Sequence, residues 1–213
     1  MIDYLRDPEE IYRRSFTTIR AEADLAIIPD DIEALAIRLV HASGMPDLVA
    51  DLAWSAGAGE AGRTALGAGA PILVDALMVD HGIIRRRLPA GNAVVCHLGA
   101  PEADAYAKSS GTTRSAAAVD LWRPQLGGAV VAIGNAPTAL FRLLEILAEG
   151  APRPAIVLGF PVGFVGAAES KEVLIAEADG IPYVTLRGRR GGSAMAAAAV
   201  NAVILGGDEG AAS

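Results

Sequence analysis

Ala129-Val130-Val131-Ala132-Ile133-Gly134-Asn135-Ala136-Pro137-Thr138 is the stretch that decides the fold. Five small or branched apolar residues form a run short enough for a buried strand. Gly134 then turns the chain, and Pro137 suits the first turn of a helix, which continues to about Glu149. The pattern returns twice. Ala155-Ile156-Val157-Leu158 precedes Gly159 to Gly166 and a helix through Glu177. Tyr183-Val184-Thr185-Leu186 precedes Arg187 to Gly192 and an alanine-rich helix to Leu205. Strands and helices alternating at this spacing predict βαβ crossovers and a mainly parallel sheet covered on both faces.

Working upstream, a helix is expected over Thr112–Leu126, strands over Asn92–Leu98 and Pro71–Asp75, and a helix over Glu60–Gly67. Asp47 to Ser55 is short and amphipathic and takes no firm assignment. Two further helices lead the chain. Asp7-Pro8-Glu9-Glu10 is a strong helix start, and that helix runs to about Asp24 with Ile11, Ser15 and Ile19 on one stripe. Asp30 and Glu33 stand in capping-box spacing at the start of the second. Its apolar stripe is Ile32, Leu35, Ala36, Leu39 and Val40. The expected architecture is a three-layer α/β/α fold with a mainly parallel central sheet, preceded by two N-terminal helices. One domain spans 1–205, and residues 206–213 are expected to be a disordered tail.

Composition narrows the function. The 213 residues are 52% hydrophobic but only 5% aromatic, with 24 glycines, which suits close helix–sheet packing. A net charge of -7 argues against a nucleic-acid partner. The single cysteine, Cys96, excludes an internal disulfide and a clustered thiolate metal site. Mean hydropathy is +0.37. Even so, the longest apolar run, Gly191–Gly207, is mostly alanine, contains Asn201 and is short for a membrane span. No apolar leader is evident near Met1, so a cytoplasmic protein without membrane attachment is expected.

Candidate chemistry lies at helix ends and turns. Arg38 and His41 are neighbours on one helical face, and Gly44 and Pro46 stop the helix just beyond. The helix C-terminus favours imidazolium there, while Arg38 opposes it. This pattern fits a helix-end cap as well as a site. Ser15 is a polar residue on an otherwise apolar stripe and can serve either its own backbone or a pocket. Three glycine-rich turns feed helix N-termini at the carboxyl ends of strands, where open α/β sheets bind ligands. Cations stand close by: Lys171, then Arg187, Arg189 and Arg190, with Arg114 and Arg38 elsewhere. Together they suit a ligand with many carboxylates or phosphates. The turns match neither the dinucleotide nor the P-loop pattern, and no nucleophile elbow is present. His41, His81 and His97 never pair at ligand spacing, and Arg85-Arg86-Arg87 reads as an exposed turn.

These residues together resemble the precorrin-8X methylmutase (precorrin isomerase) family. The resemblance runs through Tyr4-Leu5-Arg6-Asp7-Pro8, Ile11-Tyr12-Arg13-Arg14-Ser15-Phe16, the Arg38/His41 helix and Thr113-Arg114-Ser115-Ala116-Ala117. It continues through Gly134-Asn135-Ala136-Pro137-Thr138, Gly159 to Lys171 and Gly188-Arg189-Arg190-Gly191-Gly192-Ser193. Two departures are Ser43, where the family often has cysteine, and Asp80-His81, in a segment usually Ala-Glu. The resemblance implies an isomerase that moves a methyl group from C11 to C12 of a corrin precursor, metal-free or cobalt-bearing, without an external cofactor. It further implies a homodimer, proton transfer by His41 and substrate contacts at Ser15 and Arg38. Arg114, Lys171 and Arg189 become the expected grips for the tetrapyrrole carboxylates. A corrinoid carrier that binds without rearranging is the second reading. A nicotinamide or flavin oxidoreductase rests on fold class alone.

Overall fold

The computed structural model describes residues 2–205; the expected tail, 206–213, lies outside the described residues. Six strands form one sheet in the order β1-β6-β5-β4-β2-β3. The strands are β1 (Leu52–Trp54), β2 (Ile72–Val74), β3 (Val94–Val95), β4 (Val130–Ile133), β5 (Ile156–Gly159) and β6 (Tyr183–Leu186). All neighbours are parallel except β1, which runs antiparallel to β6. The predicted βαβ units at the C-terminal half are therefore present, with β4, β5 and β6 side by side.

The two faces of the sheet bury separate cores, as strand alternation requires. Along β4, Val130 and Ala132 face one cluster while Val131 and Ile133 face the other. The second cluster is covered by α6 (Arg114–Asp120), α7 (Pro137–Ala148) and α8 (Ala167–Glu177). The first lies under α3 (Ala58–Gly67), α4 (Leu77–Gly82) and α9 (Ser193–Leu205). The leading helices α1 (Pro8–Glu22) and α2 (Asp30–Ser43) belong to this same side, because α2 packs onto α9 and α1 onto α2. Alanine makes that stacking close. A Cβ added at Gly82 would stand 2.6 Å from the Ala197 methyl, and one at Gly134 would stand 2.7 Å from that of Ala196. Asn201, the polar residue in the apolar run, receives the Ile84 N–H at 2.9 Å and donates to the Gly82 carbonyl at 3.0 Å. Among the described residues, no helix is long and apolar enough to cross a membrane.

Several boundaries differ from the sequence reading. The helix expected over Thr112–Leu126 stops at Asp120, and Arg123–Gln125 forms a 3-10 turn around Pro124, which cannot continue an α-helix. The strand expected over Asn92–Leu98 contracts to Val94–Val95. Asn92 instead turns inward, donating to the Leu66 and Ala70 carbonyls. The unassigned stretch becomes a 3-10 helix, Pro46–Asp51, followed by the edge strand β1. Helices α4 and α5 (Pro101–Ser110) were not anticipated. The capping box at Asp30/Glu33 is absent: Pro29 is the N-cap with no side-chain bond. The Asp31 carboxylate accepts the Gly59 N–H at 3.1 Å instead.

Candidate active site

Helix α2 ends where α1 supplies a bed of side chains for it. Gly44 takes the left-handed conformation at φ 68° and its N–H returns to the Val40 carbonyl at 2.8 Å, which leaves His41 in the last full turn. Ser15 Oγ lies 3.0 Å from His41 Nδ1. The imidazole packs beside Phe16, with ring centres 5.1 Å apart, and Tyr12 stands 6.0 Å away. Arg38, half-buried one turn earlier, donates to the Tyr12 hydroxyl at 2.7 Å and covers the Phe16 ring at 5.2 Å. Ser15, Arg38 and His41 therefore form one cluster. Tyr12 completes it and was not singled out from sequence. Its position three residues before Ser15, on the face shared with Phe16, was the available signal.

The hydroxyl orients the ring whatever its charge. Ser15 can donate to a neutral Nδ1, leaving Nε2–H directed away, or accept from Nδ1–H of the imidazolium. Burial against the aromatic bed, and then the nearby Arg38 charge, hold the His41 pKa below its ordinary 6.5. Ser43, the family departure next to His41, directs its hydroxyl at the Leu39 carbonyl, 2.8 Å away, and accepts the Met45 N–H at 3.2 Å. It caps the helix and leaves the ring alone.

A groove of ≈ 270 Å³ opens beside His41, bounded by Ser15, Thr18, Ile19, Glu22 and Gly44. A second hollow of ≈ 320 Å³, nearly all apolar, is lined by Met45, Val162, Phe164, Arg189 and Met195. The Gly44–Pro46 turn borders both. Arg189 extends its guanidinium over the exposed Phe164 ring at 5.4 Å and forms no ion pair among the described residues.

The other expected grips sit differently. At the turn after β4, the N–H groups of Gly134, Asn135 and Ala136 all donate to the Asp75 carboxylate, at 2.8, 2.9 and 2.8 Å. That anion site is filled by the protein itself. Asp75 is 2% exposed, and burial raises its pKa against the three donors. Lys171 is fully buried, its ammonium on the Arg190 carbonyl at 2.7 Å, and desolvation pushes its pKa down to about 8. It holds the loop from beneath. Arg187 pairs with Glu172, and Arg190 with Asp47 and Asp51. Arg114 begins α6, largely exposed and 3.6 Å from Asp104. Its neighbour Thr113 caps that helix and meets Thr138 at the start of α7. Among the described residues, no three His, Cys, Asp or Glu side chains gather as a metal cluster.

A three-layer α/β/α fold that sets a histidine against a serine hydroxyl beside a half-buried arginine defines an α/β protein with a group able to exchange a proton next to a fixed positive charge. Comparison with known proteins makes this specific. The sequence model of the family described as "CbiC: Precorrin-8X methylmutase" matches residues 10–205. The precorrin-8X methylmutase of Pseudomonas aeruginosa is 64% identical over 95% of this chain and 98% of its own. That of Sinorhizobium sp. is 56% identical over 94% and 96%. The crystal structure of the Thermus thermophilus precorrin-8X methylmutase superposes with a TM-score of 0.84 at 40% identity, covering 94% of this chain and 97% of that one. The chain belongs to the precorrin-8X methylmutase family, isomerases that carry out an intramolecular methyl shift.

Proposed function

We propose that this chain moves the methyl group of precorrin-8X, or of its cobalt form, from C11 to C12 of the corrin precursor, with His41 as proton carrier. The observation that carries this reading is the 3.0 Å contact between Ser15 Oγ and His41 Nδ1, on a face that Arg38 completes. Protonating a ring nitrogen makes the receiving carbon electron-poor and eases migration of the methyl. The imidazolium donates that proton through Nε2 and recovers it once the methyl has moved. The proton balance closes on His41, so no external cofactor is required.

A positioned acid–base group contributes about 10²–10⁴-fold. Holding the macrocycle still and stabilising its redistributed charge supplies the rest. Arg38 and Arg189 are the proposed carboxylate grips nearest His41, with Arg114 a further one at the start of α6. Lys171 serves through the loop it supports. Each hollow beside the Gly44–Pro46 turn is near the small end of ligand pockets, about 300 Å³. The tetrapyrrole is therefore proposed to span both. A single domain over 1–205, a cytoplasmic location and a homodimer complete the proposal. The exposed Leu77, Met78, Phe164 and Val165 support the homodimer as apolar surface available to a second copy.

His41→Ala tests the mechanism. The variant is expected to bind the macrocycle while turnover, followed by visible absorbance, falls about 10²–10⁴-fold. Unchanged turnover would overturn His41 as proton carrier. Binding with no turnover by the unmodified protein would restore the carrier reading.

A further inference from the structure

The loop after β6 is fixed at its main chain and at one side chain, while the adjacent side chain is free. The Gly163 N–H donates to the Arg189 carbonyl at 3.3 Å, and the Gly192 N–H to the Phe160 carbonyl at 2.8 Å. A Cβ at Gly191 would overlap the carbonyl oxygens of Phe160 and Pro161, so the two loops run in direct backbone contact. Buried Lys171 holds the Arg190 carbonyl between these points. All of these ties bind the loop to the β5–α8 side of the molecule.

On the other side the Arg187 N–H donates to the Asp51 carbonyl at 2.8 Å, at the end of the β1–β6 ladder, and the side chain of Arg190 adds two further ties. One guanidinium nitrogen donates to Asp47 at 2.7 Å and another to Asp51 at 2.5 Å, across 143 and 139 residues of sequence. Both acids belong to the 3-10 helix Pro46–Asp51, which begins two residues after the Gly44 stop of the His41 helix. Only a planar fork serves two carboxylates in this way; an ammonium is a single point charge. The bridge is about one-third exposed on the arginine side, and ion pairs of that kind add little stability. Its consequence is geometric.

We propose that Arg190 is a positioning residue for the methyl shift: the main chain already holds the Asp51 end, and by clamping Asp47 as well the guanidinium fixes the end of the 3-10 helix nearest the His41 helix against the Arg189 loop. This rests on the reading of His41 and Arg189 given under Proposed function. Arg190 borders the second hollow, but its guanidinium is engaged by the two acids. It aligns the proton carrier with a carboxylate grip, so that a macrocycle held by the loop presents its reacting edge to the imidazole.

Two variants approach the clamp from opposite ends. Arg190→Gln removes the fork, and the double variant Asp47→Ala/Asp51→Ala removes its carboxylate acceptors. Each is expected to lower kcat on the order of 10²-fold, the cost of a misplacement of about 1 Å. The melting temperature should scarcely move, and the alkaline limb of kcat should stay in place because His41 is untouched. Combining all three substitutions should lower kcat no further than the worse parent. Arg190→Lys should recover only part of the loss. Unchanged kcat in Asp47→Ala/Asp51→Ala would overturn the proposal even if Arg190→Gln failed to fold. Additive losses, or a rise in KM alone, would also overturn it, by making Arg190 a substrate grip. His41→Ala, assayed alongside, separates the two ideas. Retained turnover there with loss in the clamp variants would discard the proton carrier and keep the clamp.

Discussion

The turn after β4 and the loop after β6 look alike as sequence and behave in opposite ways. Each follows a buried parallel strand, carries glycine and leads into a helix, and both were read as seats for a ligand's anionic groups. Gly134–Ala136 has already been taken by Asp75, which arrives from 59 to 61 residues upstream. Residues 187–192 instead present Arg189 to the surface while every neighbouring cation is paired. Glycine spacing encodes the path of the backbone. Whether the donors or cations there remain open is decided by side chains distant in sequence.

The largest effect should come from opening the closed turn. Asp75→Ala strands three N–H groups that now share one carboxylate, that of Gly134 buried and those of Asn135 and Ala136 part-buried. Leaving a buried donor without a partner costs about 1–3 kcal/mol. The midpoint of denaturant unfolding should fall accordingly, with the slope unchanged. Added formate, small enough to enter the vacated space, should restore part of the loss in the variant and none in the parent. An unchanged midpoint would mean that water serves these donors as well as Asp75 does, and the contrast between the two regions would collapse.

Arg189→Ala acts on the open partner and should cost less. Losing one charge-assisted contact at an exposed site predicts a rise in KM of roughly tenfold, or ~1.4 kcal/mol. Stability should stay near that of the parent. KM should also depend less on salt than before, because exposed charge attraction is screened. A fall in stability without a change in KM would place Arg189 with the structural cations and leave the second hollow without a grip.

Legibility followed range. Local signals were read well: the Asp7 cap accepts from Glu9 and Glu10, and the α2 stripe from Ile32 to Val40 is fully buried. The three C-terminal βα units stand where the alternating runs placed them. Of the short edge strands, β1 was not legible and β3 was read too long. β1 is three residues whose strand character comes from pairing with β6, and β3 keeps two residues because Asn92 is drawn into the core. At the site, Ser15, Arg38 and His41 stood out as polar groups on packed helical faces, and the family resemblance chose a site over a cap. Tyr12 did not, since an aromatic on such a face reads as core until its hydroxyl is seen to take an arginine. Lys171 gave the converse error: a cation beside a glycine turn suggested a surface grip, and it lies fully buried beneath the loop.

The smallest effect sharpens the open side of the comparison at His41 itself. In the free protein, burial first and Arg38 second hold the imidazole below 6.5, so the acid form that the mechanism requires is scarce at neutral pH. kcat/KM reports the free enzyme and should decline as pH rises through a value below 6.5. A bound substrate brings carboxylates, whose negative charge favours imidazolium and raises that pKa. The alkaline limb of kcat should therefore lie at higher pH than that of kcat/KM. Arg38→Gln removes one of the two causes of the depression, so its kcat/KM limb should move upward, toward the ordinary histidine value. A limb that moved downward would remove Arg38 as a cause of the depression, and rates that rose with pH through this range would make neutral His41 the working form and turn the proposed acid into a base.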